Sequence, residues 1–367
     1  MDTFGIMTLN ENSELEYFTE IAIQAVAQGM ICCRFIPSNI NPFSHRITGY
    51  VFDPTTNQWK QDIFPIPNVI YDRCFYGEDV HSKQCISIVT WLKERQDIFF
   101  LGYGLPNKFE LYNVLKLSNL HPYLPPTKII SDSNMVMKEL TLQERLVLKP
   151  INGSQGNGIF YLELKGPSIG VKTFNRNQHI HKSFSDEKKF STWIDLLLSK
   201  KGYLVQPYLE LINERMEPFD IRILLQKEFD GNWAERGRGI RSGHPDGILS
   251  NLSAGGHISS FEKWRENLSP KLIGFIETEI SDLLLKIPSI LEEAFLPLFE
   301  LGIDIGVSRN GSIWILDINS KPGRKVSLTT NPEIKDVLNK APILYSKTLT
   351  SSVNNERKRY NAKTLSY

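Results

Sequence analysis

Lys149 closes the apolar run "RLVLKP", and Gly153, Gly156 and Gly158 follow at once in "INGSQGNG". Glycines this dense let backbone N–H groups approach phosphates closely. In the familiar P-loop the lysine follows the glycines and opens a helix. Here it precedes them, at the end of what reads as a strand. A second chemical signal is "LGIDIGVSRNGSIWILDINSKPG", residues 301–323. Asn310-Gly311 between two apolar runs predicts a hairpin with a two-residue type I′ turn. That register sets Arg309 opposite Ser312 and Asp304 opposite Asp317, with Asn319 on the same side. Opposed carboxylates repel, so a divalent cation is expected to compensate. Magnesium suits hard oxygen donors and completes its shell with phosphates. A solvated pair of aspartates is the plainer alternative. Ile303, Ile305, Leu316 and Ile318 alternate with them and mark the other face as buried.

Arg222 in "DIRILL" and Arg241 in "RGRGIRSG" sit among apolar neighbours, where an unpaired arginine is costly. They are therefore expected to have partners. The alternative, a nucleic-acid patch of Arg236, Arg238 and Arg241, lacks interleaved aromatics. His244 and His257 flank the following segment, but lone histidines say little. No Ser-His-Asp or Cys-His motif is apparent, so no protein nucleophile is expected.

The whole chain is bland by comparison. Its 367 residues carry a formal net charge of +1, with 41% apolar and 23% charged residues. That balance argues against bulk binding to nucleic acid or an anionic membrane. No apolar run is long enough to span a bilayer, and the first residues do not read as a secretory signal. Cys32, Cys33, Cys74 and Cys85 lack metal or redox spacing and are expected to be buried, reduced thiols.

Elements must position these residues. A strand over 3–9, a helix capped by Ser13 and Glu16 and ending at Gly29, and the strand "MICCRFI" open the chain as a β-α-β unit. A hairpin around "DPTTN", the strand "NVIYDRCF", a helix over 79–95 and "DIFFLG" complete an open α/β domain, 1–105. Residues 106–350 form a second unit: helices over 107–118, 133–142, 186–199 and 270–300, and strands "PTKIIS", "RLVLKP", "IFYLEL", "SIGVKTF", "GYLVQPYLEL", "DIRILLQ" and the 302–319 hairpin. Within it, a central part spans about 125–205 and a C-terminal part about 206–350. Residues 351–367 read as a loose polar tail.

A strand lysine before a glycine loop, then a hairpin with Asp opposite acid-x-Asn, together resemble the ATP-grasp superfamily. The segment "RSGHPDGILSNLSAGG" resembles its glutathione-synthetase-like branch. "FGIMTL", "FIPSNINP", "VFDPTTNQW", "FPIPNVIYDR", "LVLKPINGSQGNGI" and "DINSKPG" are similar to the YheC/YheD endospore coat-associated family along nearly the whole chain. The resemblance implies a mixed α/β and α+β fold, in which two α+β subdomains clasp ATP behind an open α/β pre-ATP-grasp domain.

Carried over residue by residue, it assigns Lys108 and Lys149 to the phosphates, with Lys128 competing for the place of Lys108. Gly153, Ser154, Gln155, Gly156 and Gly158 become the lid loop. Gln206, Pro207, Tyr208, Leu209 and Glu210 become the adenine and ribose hinge, with Glu214 and Glu217 as alternative ribose acids. Arg222 would stabilise the transferring phosphoryl group, Arg241 and Asn251 would serve the substrate, and Asp304, Asp317 and Asn319 would hold the metal. Asp317 replaces the usual glutamate. Leu249 replaces an arginine two residues before Asn251, which weighs against a glutathione-like substrate.

The implied cofactors are ATP and Mg2+, with Mn2+ as a substitute. The implied activity is an ADP-forming carboxylate-amine or thiol ligase acting through an acyl phosphate. Its partners would be a small-molecule or peptide carboxylate and an amine, with spore-coat proteins and a second copy of the chain as further ones. The location would be cytoplasmic or spore-coat. A weakly active or inactive structural coat protein and an ATP-grasp kinase are the rival readings.

Overall fold

The computed structural model describes residues 2–153, 156–175, 178–245, 247, 250, 252 and 255–364, except the side chains of 175, 179 and 352–364. The N-terminal sheet contains β1 (Thr3–Met7), β2 (Ile31–Phe35), β3 (Ile40–Asn41), β4 (Arg46–Asp53), β5 (Gln58–Pro65), β6 (Val69–Asp72) and β7 (Phe99–Phe100). Its order is β3-β4-β2-β1-β6-β7, with β5 on β4. Strands β1, β2, β6 and β7 pair in parallel, as β-α-β connections require. Helices α1 (Leu15–Ala27) and α2 (Val80–Glu94) make the crossovers.

The capping box expected from Ser13 and Glu16 does not form. Glu14 instead precedes α1 with φ of 50° and no side-chain cap. Its carboxylate is drawn to Arg73, with both oxygens 2.9 Å from guanidinium nitrogens. A buried guanidinium needs a charged partner more than the helix end needs a cap.

Helix α3 (Lys108–Lys116) leads into a second sheet. This sheet holds β8 (Lys128–Ile129), β9 (Arg145–Pro150), β10 (Phe160–Lys165), β11 (Ser168–Asn175), β12 (Gln178–Phe184) and β13 (Tyr203–Pro207), in the order β12-β11-β10-β9-β13-β8. Helices α4 (Ser133–Gln143) and α5 (Glu187–Leu198) bury Val136, Leu140, Phe190 and Ile194 against Leu146, Leu148, Leu162 and Val171. Strand β12 is an element that the sequence reading did not identify. "QHIHKSF" alternates polar and apolar residues too weakly to declare itself.

The third sheet runs β16-β15-β14-β17-β18. Its strands are β14 (Phe219–Lys227), β15 (Trp233–Ser242), β16 (His257–Ser260), β17 (Glu300–Val307) and β18 (Ile313–Asn319). Short α6 (Phe261–Arg265) and long α7 (Pro270–Ala294) follow β16. Ile276, Ile280, Leu283 and Ile287 of α7 join Ile221, Ile223, Ile303 and Ile305 in one core.

Two further helices close the chain: α8 (Lys325–Thr330) and α9 (Lys335–Thr364). The expected polar tail therefore continues as helix through Thr364. Ala341, Ile343 and Tyr345 of α9 pack into the N-terminal core beside Phe18 and Phe299, so the C-terminal segment ties the first and last parts together.

Candidate active site

The β17–β18 hairpin reaches the expected pairing by an unexpected route. Its loop has three residues, Arg309 to Gly311, closed by Ser308 N–H to Ser312 O at 2.9 Å. Gly311 takes φ of 84°, the left-handed residue such a loop needs. Arg309 therefore does not face Ser312, and Val307 pairs with Ile313, one residue off the expected register. A bulge at Leu316 restores the count, so Asp304 pairs with Asp317 and Gly302 with Asn319. The bulge also turns Leu316 from the expected buried face. A Cβ built on Gly306 would lie 3.2 Å from Leu316 Cδ1 and 2.6 Å from Leu211 Cδ1, so both leucines lean over that glycine.

Charge lines one face of this sheet. Arg222 of β14 pairs in register with Asp304, and Asp220 pairs with Arg241 of β15. Alternate residues share a face, so the carboxylates and guanidiniums stand together while the isoleucines between them enter the core. Arg241 donates through Nε and Nη2 to both oxygens of Asp220 at 2.7 Å, and Nη2 reaches Asp304 at 2.8 Å. Arg222 Nη1 donates to the other Asp304 oxygen, and the Ser250 hydroxyl donates to Asp220. Gly302 leaves room for Arg222, whose Cζ would lie 3.2 Å from an added Cβ. Lys108, in the first turn of α3, places Nζ 2.6 Å from Asp317.

The repulsion expected between Asp304 and Asp317 therefore does not arise. Arg222 and Arg241 neutralise the first carboxylate and Lys108 the second. The protein itself thus supplies counter-charge to both carboxylates. Burial tends to raise the Asp304 pKa, but the two arginines outweigh it and the net shift is downward. At Asp220 burial wins over Arg241, and the nearby Asp304 adds to the rise. Arg241 is raised despite its burial, because Asp220 and Asp304 both favour the cation.

Lys149 approaches this face from β9. Burial, then the positive Lys108, push its pKa down to about 8, against the pull of Asp317, Asp304 and Asp220. Leu148 packs toward α4 and α5, so Lys149 stands on the opposite face of the sheet, and just beyond it Lys108 N–H bonds to Ile151 O at 3.3 Å. Beyond it Gly153, Gly156 and Gly158 take φ of 154°, 77° and 75°, and the last two lie in the left-handed region that glycine tolerates. Ser154, Gln155 and Asn251 lie outside the described residues.

The end of β13 and the residues that follow it carry the expected hinge. Gln206 donates its amide to Thr127 Oγ1 at 2.8 Å, and Pro207, Tyr208 and Leu209 are half-buried. Tyr208 packs edge-on to Tyr161 at 4.8 Å between ring centres. Glu210 is exposed, as is Glu214, whereas Glu217 accepts from Asn213 at 2.8 Å. Lys128 is set apart from Lys108. It pairs with Val205 on the helix side of the second sheet and holds Glu139 at 2.7 Å. Arg236 and Arg238 are likewise held by Glu228 and Glu235, which leaves no free basic stripe there.

Asp220, Ser250 and Leu211 escaped the sequence reading. A signal for Asp220 was present in "FDIRILL", where period-two alternation puts it on the face of Arg222. Ser250 and Leu211 have no such local signature. Asp304, Asp317 and Asn319 offer the hard oxygens that magnesium accepts, provided the ion displaces the cations now facing the carboxylates. Among the described residues no cluster of three His, Cys, Asp or Glu side chains could hold a metal, so the donor set depends on the Asn319 amide.

Two successive sheet-and-helix units, with a strand lysine, a glycine loop and an acid-paired hairpin, define an ATP-grasp protein. The chain belongs to the YheC/D-like ATP-grasp family, whose model matches residues 97–349. It is similar to the endospore coat-associated protein YheC of Bacillus subtilis (strain 168), at 36% identity over 94% of each chain. The fold is also that of the D-alanine-D-alanine ligase of Coxiella burnetii, with a TM-score of 0.52, 12% identity and 99% of each chain covered. A further likeness is the ATP-grasp ligase PsnB, solved with a phosphomimetic precursor variant, Mg and ADP. Its TM-score is 0.50 at 13% identity, over 94% of this chain and 99% of that one. No helix among the described residues is long and apolar enough to cross a membrane.

Proposed function

We propose that this protein is an ATP- and magnesium-dependent ligase joining a carboxylate to an amine or thiol through an acyl phosphate. The observation that carries the proposal is the charged row facing Lys149. Lys108, Lys149, Arg222 and Arg241 meet Asp220, Asp304 and Asp317, so the cations outnumber the acids before any ligand arrives. A polyphosphate with a divalent ion rebalances such a site.

In this reading Lys108 and Lys149 hold the phosphates, the glycine loop closes over them, and the hinge at 206–210 receives the base. Arg222 faces the transferring phosphoryl group, and Arg241 and Asn251 serve the acceptor carboxylate. Asp304, Asp317 and Asn319 hold magnesium, which when bound offsets charge on the phosphate oxygens. Positioning and charge neutralisation do the catalytic work, without a protein nucleophile. The named likenesses support this: one joins two amino acids and another was solved with Mg and ADP.

The rival is a coat component with weak or absent catalysis. It is favoured by the name of the YheC relative and by the full engagement of Asp304 with two arginines. Purified protein incubated with MgATP and pools of amino acids, peptides and cell-wall fragments distinguishes them. ADP with free phosphate supports the ligase, whereas ADP with a phosphorylated product identifies a kinase. Nucleotide binding without turnover identifies the structural role.

A further inference from the structure

The second sheet has another face, opposite Lys149. Lys149 points to the opening between the sheets, so its neighbours Leu148 and Pro150 point the other way. Register carries that second face outward: Leu148 pairs with Phe160, Phe160 with Thr173 and Thr173 with Ile180, while Pro150 pairs with Tyr203. Helix α5 covers part of this face, with Trp193 against Phe160. What remains is a cavity of about 530 Å3, within the size range of small-molecule sites.

Its walls are aromatic. Phe160 stands edge-on to Trp193 at 5.4 Å and 6.0 Å from Tyr203. Two cations line the same cavity, Lys182 and Lys201. Among the described residues neither ammonium is held by a carboxylate, and Lys201 lies 5.6 Å from the centre of the Tyr203 ring. Lys201 Nζ and the Tyr203 hydroxyl converge on Gly158, at 2.8 and 3.3 Å from where its Cβ would be. Lys182 stands on β12, across the sheet from β13, so the cavity has an apolar body and a cationic, hydrogen-bonding corner at Lys201 and Tyr203.

We propose that this cavity is a second binding site, separate from the nucleotide opening, for a small aromatic carboxylate. Its ring would lie among Phe160, Trp193 and Tyr203, and its carboxylate would take Lys201 and the Tyr203 hydroxyl. Burial and the Glu78 carboxylate push the Tyr203 pKa up to about 12, so the hydroxyl is a donor at neutral pH. Gly158 belongs to both the cavity wall and the glycine loop. Occupancy therefore changes nucleotide affinity, and nucleotide changes occupancy by the same factor.

The test is calorimetric titration of the full chain with 1-naphthoate, alone and at several concentrations of MgADP. Saturable one-site binding is expected, unaffected by Lys149→Ala and weakened at least tenfold by Lys201→Gln. MgADP should shift the naphthoate affinity to a limiting value. An affinity that keeps falling in proportion to MgADP puts the probe in the nucleotide opening and overturns the proposal. So does absence of saturable binding, or indifference to Lys201→Gln. Failure of MgADP to bind would instead count against the ligase reading, while the naphthoate titration alone still decides this one.

Discussion

Lys108 Nζ lies 2.6 Å from Asp317 Oδ2, joining the first turn of α3 to a strand 209 residues further along the chain. The two side chains are 25% and 26% exposed, so the pair is neither buried nor free. It supplies from the protein itself positive charge that the sequence alone assigned to a metal.

Asp317→Asn is accordingly expected to alter ligand-free stability by less than about 1 kcal/mol, as for other partly exposed ion pairs. The thermal upshift on adding MgADP should shrink, because that stabilisation requires ligand binding. Melting curves with and without MgADP check this. A large ligand-free loss with an undiminished MgADP shift would make Asp317 structural.

Lys108→Met removes the ammonium that competes with a metal for Asp317. Mn2+ binding without nucleotide should tighten by about threefold to tenfold, corresponding to ~1 kcal/mol for one nearby unit charge in a wet site. MgADP binding should weaken, since the same lysine is proposed to meet phosphate. Electron paramagnetic titration of Mn2+ reads the first effect and calorimetry the second. Unchanged Mn2+ affinity would separate Lys108 from the metal site.

Lys149, with its pKa lowered to about 8, makes the protein sensitive to alkaline pH. Below pH 8 the folded and unfolded chains both hold this proton. As pH rises from 8 toward the usual lysine value, only the unfolded chain holds it, so this residue favours folding increasingly. Phosphates arriving beside it favour the protonated form, and MgADP binding near pH 8.5 should take up a proton. Calorimetry in buffers of different ionisation enthalpy measures that uptake. Persistence of the full uptake in Lys149→Met would assign it elsewhere.

Arg241 is 8% exposed and serves both Asp220 and Asp304. Arg241→Ala is expected to cost about 3–5 kcal/mol in denaturant unfolding, the usual penalty for breaking a buried pair. Arg241→Lys keeps the charge but loses the fork, and should be destabilised less. With MgADP binding retained, turnover on an identified substrate should still fall. Equal stability of wild type and Arg241→Ala would contradict the buried network.

Periodicity and local chemistry alone determined several features. The Lys149 strand, the glycine loop and the 302–319 hairpin were legible because each is a contiguous pattern with a short-range cause. The Asp304–Asp317 pairing was also legible, although the turn is one residue longer than read and the Leu316 bulge restores the count. Neither compensating feature is encoded by a local rule as strong as Asn-Gly. Tertiary structure decided the charge partners. Asp220 reaches Arg241 because two strands lie side by side, Lys108 reaches Asp317 because α3 docks against the third sheet, and Lys128 is excluded because β8 turns it toward Glu139. The face opposite Lys149, with its aromatic cavity, was equally invisible beforehand. Strand alternation states that a residue points one way or the other, and only packing decides what waits on each side.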